Sequence, residues 1–406
     1  MTNVRDSDRS YPRIRFNGYS DAWQKRDLKE MGKIYTGNTP PTANESNWST
    51  SQSGHIWVTP TDIDKLTIHQ SFKHLTDVGW SKSRNVPAYS VLITCIASIG
   101  KNTINTVPVA FNQQINAIIP VQHDSFFILA VMTRETNRLK SIAGQTATAM
   151  INKSTFEKFN IIVPSLMEQT QIGTFFQSIN NLITVNQRKV EKYQALKKAL
   201  LQRMFVSGDS DIPQIRFNGY SEAWQKRKLG SFTETYSGGT PSADNSKYYG
   251  GDIPFIRSAE INLDKTKLYL TEAGLNNSSA KLVAVGDILY AMYGATSGEV
   301  GVSRINGAIN QAILAIKPTQ NDDPQFIMQW LRNQKEHIVN IYLQGGQGNL
   351  SGTIVKKLEI ETPVENSEEL RIGIISQSLD NLITVNQRKV ETYKELKKAL
   401  LQQMFV

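Results

Sequence analysis

Leu182 to Val206 reads LITVNQRKVEKYQALKKALLQRMFV and Leu382 to Val406 reads LITVNQRKVETYKELKKALLQQMFV, differing at 4 of 25 positions. A second pair lies upstream. Ile14 to Arg26 reads IRFNGYSDAWQKR and Ile215 to Arg227 reads IRFNGYSEAWQKR, differing only at Asp21 against Glu222. The offsets of 200 and 201 make the chain two copies of one unit of about 200 residues. Between the matching blocks the copies diverge widely. A duplicated frame around two unlike inserts predicts two different objects read at a fixed separation.

The frame carries the clearest periodicity. From Ile172 the apolar positions run through Phe175, Ile179, Leu182, Val190, Tyr193, Leu196, Leu200 and Met204 by threes and fours, with Asn186 on the same face. That spacing predicts an amphipathic helix of about ten turns with a seam near the coiled-coil repeat. The second copy keeps Ile372, Leu379, Leu382, Asn386, Val390, Tyr393, Leu396, Leu400 and Met404. Each helix must cover one apolar stripe. Either the two helices pack antiparallel about an internal pseudo-twofold axis, or each covers its own insert. Asn186 and Asn386 stand where a hydrophobe is expected. They either fix the register by bonding one another or point to the rim.

At 406 residues there is room for two or three domains with their own cores. Hydrophobic content of 39% and charged content of 20% fit a globular chain. The net charge of +9, spread along the sequence, favours a polyanionic partner. Cys95 is the only cysteine, which excludes an internal disulfide and a thiolate metal cluster and suits a reducing compartment. The N-terminal segment is polar, and the longest plainly apolar run, Phe126 to Met132, is too short to span a bilayer. A cytoplasmic protein with no membrane partner is expected.

The inserts run from about 27 to 163 and from about 228 to 362, and share landmarks in order. Tyr35-Thr36-Gly37-Asn38-Thr39-Pro40 answers Tyr236-Ser237-Gly238-Gly239-Thr240-Pro241, a turn-rich loop. Short buried strands are expected at Ile56 to Thr59 and Pro254 to Arg257, and at Val91 to Ile93 and Ile288 to Tyr290. AFNQQINAIIP from Ala110 answers AINQAILAIKP from Ala308, followed by short helices at Phe126 to Met132 and Phe326 to Leu331. Each insert is thus one small α/β fold with its own surface. A glycine-containing loop near each insert's end, at Gly144 and at Gly345 to Gly348, could bring backbone amides to phosphates or simply be a turn.

No catalytic signature is visible. Gly100-Lys101-Asn102 lacks the upstream glycine and the hydroxyl residue of a P-loop, no dinucleotide fingerprint follows a strand, and Pro40-Pro41 is not an amino-methyltransferase motif. The five histidines show no zinc spacing, and no carboxylate pair recurs in both copies. An active site is not expected in this chain.

The tryptophan blocks Ala22 to Arg26 and Ala223 to Arg227, the Thr-Pro loops, Ile162-Val163-Pro164 with Glu168-Gln169 and Ile172, and the Leu196-Lys197-Lys198 and Leu396-Lys397-Lys398 helix ends together resemble the specificity subunit of type I restriction-modification enzymes. The resemblance covers essentially the whole chain. The second copy departs where Glu361-Thr362-Pro363 is followed by Glu368-Glu369, with no Glu-Gln pair before Ile372. The resemblance implies a mixed α/β chain: two similar globular α/β target-recognition domains separated by two long antiparallel helices in an internal pseudo-twofold repeat. The domains would be 1–163, a spacer helix at 164–206, 207–363, and a second spacer helix at 364–406. It also implies a non-catalytic subunit binding double-stranded DNA, each domain reading half of an interrupted target. Two methyltransferase subunits, carrying S-adenosylmethionine, would dock on the helices, and two restriction subunits, using ATP and magnesium, would join them.

Base edges are read by side chains such as Arg, Lys, Asn, Gln, Ser and Thr, while cations on phosphates position the duplex. Candidate DNA contacts are Lys73, Lys82, Arg84, Asn85, Lys101, Asn102, Gln145 and Thr146 in the first insert, and Arg257, Lys281, Tyr290, Tyr293, Ser297, Gln347 and Asn349 in the second. The helix seam and partner face would use Ile179, Leu182, Asn186, Val190, Tyr193, Leu196, Leu200, Leu382, Asn386, Val390, Tyr393, Leu396 and Leu400. A stand-alone two-headed DNA-binding regulator and an unrecognised nuclease remain as alternatives.

Overall fold

A computed structural model describes residues 11–143, 149–208, 210–343 and 350–406. Two helices dominate it: Leu166–Met204 with 39 residues and Asn366–Gln403 with 38. Their starts are offset by 200 residues, so the missing Glu-Gln pair leaves the second helix beginning where the first does. In place of that pair Glu368 receives Arg216 through Nε and Nη2 at 2.8 and 2.9 Å, as Glu168 receives Arg15 at 2.7 and 2.8 Å. These bidentate pairs, with both carboxylates buried, tie each tryptophan block to the first turn of a long helix.

The chain forms two compact units. One combines the described residues up to Gln187 with Gln387–Val406, and the other is Arg188–Asn386. Each long helix therefore starts in one unit and ends in the other.

In the first unit a sheet orders strands Gly32–Thr36, Ile115–Pro120, Val91–Thr94, Asn102–Asn105 and Thr67–Ile68. A second sheet orders Trp48–Ser49, Lys73–Leu75, His55–Val58, Val109–Phe111 and Asn85–Val86. The helix Ser125–Arg134 packs behind them, capped by Asp124, whose Oδ1 accepts the Phe127 amide at 2.7 Å. The same oxygen lies 2.1 Å from where a Cβ on Gly173 would fall, so only glycine lets the long helix approach this cap. The second unit repeats the plan with Thr233–Ser237, Ile313–Pro318, Ile288–Ala291 and Val300–Val302 in one sheet, and Leu268–Leu270, Tyr249–Ile256, Gly307–Ile309 and Lys281–Val283 in the other. Asp323 and Gly373 repeat the cap contact, again at 2.1 Å.

Within each unit the two helix segments run antiparallel. In the first, Phe176 meets Phe405 with centroids 5.7 Å apart, and Lys397 Nζ donates to Asn180 Oδ1 at 2.9 Å. Trp23, Phe127, Phe176 and Phe405 form one aromatic box. In the second, Phe205 meets Phe326 at 5.1 Å and Trp224 at 6.1 Å, while Lys197 Nζ donates to both Asp380 oxygens at 2.7 Å. The tryptophan blocks hang on the same helix ends, through Ile14 N to Gln403 O at 3.0 Å and Ile215 N to Arg203 O at 2.9 Å.

The seam differs from the sequence expectation at four leucines. Its buried positions include Ile172, Phe176, Ile179, Ile183 and Asn186 on the first helix, and Ile372, Ser376, Leu379, Ile383, Asn386, Val390 and Leu401 on the second. Val190, Tyr193, Leu200, Tyr393 and Leu400 are half-buried. Leu182, Leu196, Leu382 and Leu396 lie one residue off the stripe and are 42–45% exposed. The alternation of four and three steps from Ile179 to Ile183 and from Tyr193 to Lys197, whose charge disguises a seam position. Asn186 and Asn386 are buried, but each amide nitrogen donates to the carbonyl four residues back, at Leu182 and Leu382, at 2.7 and 2.6 Å. Of the two readings left open, neither describes these nitrogens: they bond the helix backbone and not one another, and the residues are buried and not at the rim. No helix among the described residues is long and apolar enough to cross a membrane.

Candidate nucleic-acid interface

The Thr-Pro loop and the Asn-Gln turn, which stand 70 to 75 residues apart, form one structure in each unit. A Cβ on Gly37 would lie 2.2 Å from the Phe111 carbonyl oxygen, and one on Gly238 1.9 Å from that of Ile309. Only glycine allows that approach. Thr39 Oγ1 then donates to Gln113 Oε1 at 2.5 Å, and Thr240 repeats the bond to Gln311. Asn112 and Asn310 hold the turn by accepting the amides of Gln114 and Ala312 at 3.1 and 3.2 Å.

Asn38, one residue beyond the glycine, organises the exposed cations of the first unit. Its Nδ2 donates to the Lys82 carbonyl at 2.9 Å and its Oδ1 accepts the Arg84 amide. Its own carbonyl accepts Trp57 Nε1 at 3.3 Å. Lys73 Nζ sits 5.7 and 5.8 Å from the ring centroids of Trp48 and Trp57, Lys82 Nζ donates to Asn47 Oδ1 at 3.1 Å, and the Arg84 guanidinium lies 5.2 Å from the Tyr35 ring. Lys73, Lys82, Arg84 and Asn85 are exposed and share this patch. The charged ends rest on rings or on an amide oxygen while the side chains stay exposed, an arrangement that keeps cations within reach of phosphates and base edges.

Lys281 is the second unit's equivalent of Arg84. Ala110 pairs with Asn85 and Ala308 with Leu282, so the residue before each partner is Arg84 or Lys281. Gly239 replaces Asn38, and a Cβ there would meet Ser279 Oγ at 2.0 Å, so the loop closes directly on the segment that Asn38 holds at arm's length in the first unit. Sequence alone does not single out Asn38, because its side-chain partners lie 44 and 46 residues away with no periodic signal.

A second group lies where the strands Val91–Thr94 and Ile288–Ala291 end. Cys95 O accepts the Ile151 amide at 2.9 Å, and Met292 O accepts the Leu350 amide at 3.0 Å, so each loop is bonded to the residues following the glycine-containing segment. Gln145, Thr146, Gln347 and Asn349 lie outside the described residues. Lys101 is exposed. The Asn102 amide is committed internally, donating to Gly100 O at 3.2 Å and accepting Thr133 Oγ1 at 3.1 Å. Tyr293 is half-buried against the second unit's core, with burial raising its hydroxyl pKa, and Ser297 Oγ donates to Met292 O at 3.2 Å.

Tyr290 must be withdrawn as a DNA contact. It is wholly buried, its hydroxyl pKa is pushed up by burial to about 12, and it fills the core on a strand with no exposed residue. A strand covered on both faces does not alternate, so nothing in its sequence marks the inward side. Arg257 is also engaged: it donates to Glu260 through Nη2 at 2.9 Å and Nε at 3.2 Å. Burial alone would raise the Glu260 carboxyl, but hydrogen bonds from Arg257, Lys267 and Thr266 outweigh it and hold the carboxyl at about 2. Among the described residues no group of three or more His, Cys, Asp or Glu side chains could hold a metal ion.

The family model described as the type I restriction modification DNA specificity domain matches twice, over residues 20–194 and 221–395. The MjaIX type I restriction enzyme specificity subunit of Methanocaldococcus jannaschii is 23% identical, over 93% of this chain and 91% of its own length. The HindI specificity subunit of Haemophilus influenzae is 31% identical over 44% of this chain and 41% of its own. The crystal structure of the type I restriction-modification system S subunit from M. genitalium superposes with a TM-score of 0.72 at 12% identity, covering 98% of this chain and 99% of that one, and so shares the fold. With the domain model matched in both copies of the repeat, the chain belongs to the type I restriction-modification DNA specificity family.

Proposed function

We propose that this chain is the non-catalytic specificity subunit of a type I restriction-modification complex, each unit reading one half of a bipartite DNA target. One observation carries the reading: matching frame contacts, Arg15 to Glu168 and Arg216 to Glu368, hold two inserts whose exposed clusters differ, with Lys73, Lys82 and Arg84 ordered around Asn38 in one and Lys281 beside Gly239 in the other. Same scaffold and different side chains at the same place give two half-site specificities. Lys101, Tyr293 and Ser297, at the second loop, are further candidates. Two methyltransferase subunits dock on the outward faces of the long helices, where Leu182, Val185 and Leu196 on one and Leu382, Val385 and Leu396 on the other are 42–48% exposed. S-adenosylmethionine belongs to those partners, and ATP and magnesium to the restriction subunits. The target adenine leaves the stack to reach the methyltransferase, so this chain's task is to hold duplex and enzyme in register.

The test lengthens the spacer. One heptad inserted between Gln187 and Arg188 and one between Asn386 and Gln387, where each helix passes between units, preserves the apolar face and adds roughly 10 Å. At 3.4 Å per base pair, the unspecified gap between methylated half-sites lengthens by about three base pairs with both half-sites unchanged. Methylome sequencing of cells carrying the variant reads this. An active variant with the wild-type gap defeats the spacer role.

A further inference from the structure

One turn in each unit hangs on a carboxylate. In the first, Asp62 Oδ2 accepts Thr59 N at 2.8 Å and Thr59 Oγ1 at 2.6 Å, while Oδ1 accepts Phe72 N at 3.2 Å. In the second, Glu260 Oε2 accepts Arg257 N at 3.2 Å and Thr266 Oγ1 at 3.0 Å, while Oε1 accepts Lys267 N at 3.2 Å. Strand register makes these the same place. Trp57 pairs with Lys73 and Phe255 with Leu268, so the residue just before each partner, Phe72 or Lys267, is the tip.

Both tips face water. Phe72 is 89% exposed, the highest value for a large hydrophobic among the described residues. Here the Asp62 bond and a bond from Ser71 Oγ to Lys73 O at 2.6 Å hold the backbone with the ring outward. Phe72 lines the rim of a cleft of about 570 Å³ whose charged and ring-nitrogen groups are of both kinds, Asp62 and Asp64 with Lys65, His69 and His74. Lone exposed hydrophobes are common and need no explanation. What asks for one is the same clamped presentation carrying phenylalanine in one unit and lysine in the other. A DNA duplex offers a surface for each: base faces and thymine methyls for an aromatic ring, phosphates for an ammonium group.

We propose that this carboxylate-anchored turn contacts DNA in both units, with Phe72 packing on bases of the first half-site and Lys267 binding a phosphate at the second. The inference rests on the DNA-reading function proposed above. It is tested on the full-length chain in its methyltransferase complex, by fluorescence anisotropy with a fluorescein-labelled duplex carrying a site methylated in wild-type cells, across a salt series. Phe72→Ala weakens binding about tenfold at every salt concentration with the slope unchanged, and Phe72→Leu restores most of the loss. Lys267→Ala lowers the slope of log affinity against log salt by about one, so its defect fades as salt rises. Wild-type affinity and slope in both alanine variants overturn the proposal while leaving DNA recognition intact. A wild-type complex that binds no duplex defeats the underlying reading instead.

Discussion

Lys197 and Lys397 occupy the same position in two nearly identical helix ends, yet they meet different partners. In the second unit Lys197 sits on the Asp380 carboxylate, which Gln329 Nε2 also bonds at 3.0 Å. In the first, Lys397 donates to the neutral amide oxygen of Asn180. Burial lowers both ammonium pKa values, and among the described residues it is Lys197 that has a carboxylate, Asp380, to offset it. Elsewhere on the same helices Phe176 is answered by Ser376, and Gln169 by Glu369. The duplication preserved the part that plugs in and let the sockets drift. Because each helix ends in the unit its own copy did not begin, near-identity of the two segments does not make the two joints equal.

The comparison is broken most severely by removing the plug. Phe405 lies against Trp23, Phe127 and Phe176, and Phe205 against Trp224 and Phe326. Truncating a ring in such a box costs about 3–5 kcal/mol. Phe405→Ala should therefore loosen the unit containing residues 11–187, far along the chain from the substitution, and Phe205→Ala the unit 188–386. Hydrogen exchange resolved by segment checks this. Equal loss of protection in both units from either variant would mean that the joints are not independent.

The repeat, the buried strands and the long helices were legible because duplication and periodicity both write them locally. The joints were only half legible. Lys197 sits on the apolar stripe, where a charge reads as an interruption, so the seam was drawn through Leu196. Ile183 lost its place to Leu182 in the same way, by a step of three where the helix takes four. Asn38 and Asp62 carry no local signal. Their bonds reach 46 and 10 residues along the chain to places that only the sheet register brings near. Phe72 could have been noticed as a phenylalanine between Ser71 and Lys73, but only the clamp distinguishes a presented ring from a turn residue awaiting burial.

A smaller effect sharpens the comparison at the start of the helices. Gln169 accepts the Asp124 amide at 3.3 Å, has His123 Nδ1 at 3.2 Å, and donates Nε2 to the Pro164 carbonyl at 2.9 Å. Glu369 keeps the acceptor half, taking the Asp323 amide on Oε2 at 3.0 Å, but its Oε1 is buried without a hydrogen-bond partner among the described residues. Burial lifts its carboxyl to about 8, with Asp322 and Asp323 adding to the rise and Arg227 opposing it. Between the ordinary value near 4.5 and about 8, this acid holds its proton in the folded chain and releases it in the unfolded one. The second unit therefore loses stability as pH climbs through that window, while the unfolded state gains by ionising. Glu369→Gln removes this group's share of the dependence, leaving the smaller one from Asp323, whose carboxyl burial also raises, and should stabilise the second unit by up to about 3 kcal/mol near neutral pH. Unfolding followed from pH 5 to 8 measures it, and a variant whose stability falls with pH as steeply as wild type would show that Glu369 does not carry the effect.

The smallest prediction exchanges the sockets themselves. Asp380→Asn gives the second unit the first unit's arrangement: Lys197 keeps an oxygen acceptor of similar shape but loses its counter-charge. Asp380 is itself 29% exposed and Arg332 Nη1 lies 3.7 Å away, so water and a second cation share the change. The cost should be about 1–2 kcal/mol, below the range for breaking a fully buried pair. Asn180→Asp makes the reverse change, supplying Lys397 with the carboxylate it lacks, and raises the ammonium pKa that burial lowers. It should stabilise the first unit by less than about 1 kcal/mol, because the new carboxylate must itself be desolvated beside Phe126, Leu129 and Phe176. Denaturant unfolding of the single and double variants decides between two accounts. If Asp380→Asn destabilises and Asn180→Asp stabilises, the joints differ by charge pairing alone. If both destabilise, each socket is tuned by its surrounding residues, and the lysine common to both helices is held chiefly by packing along its stem.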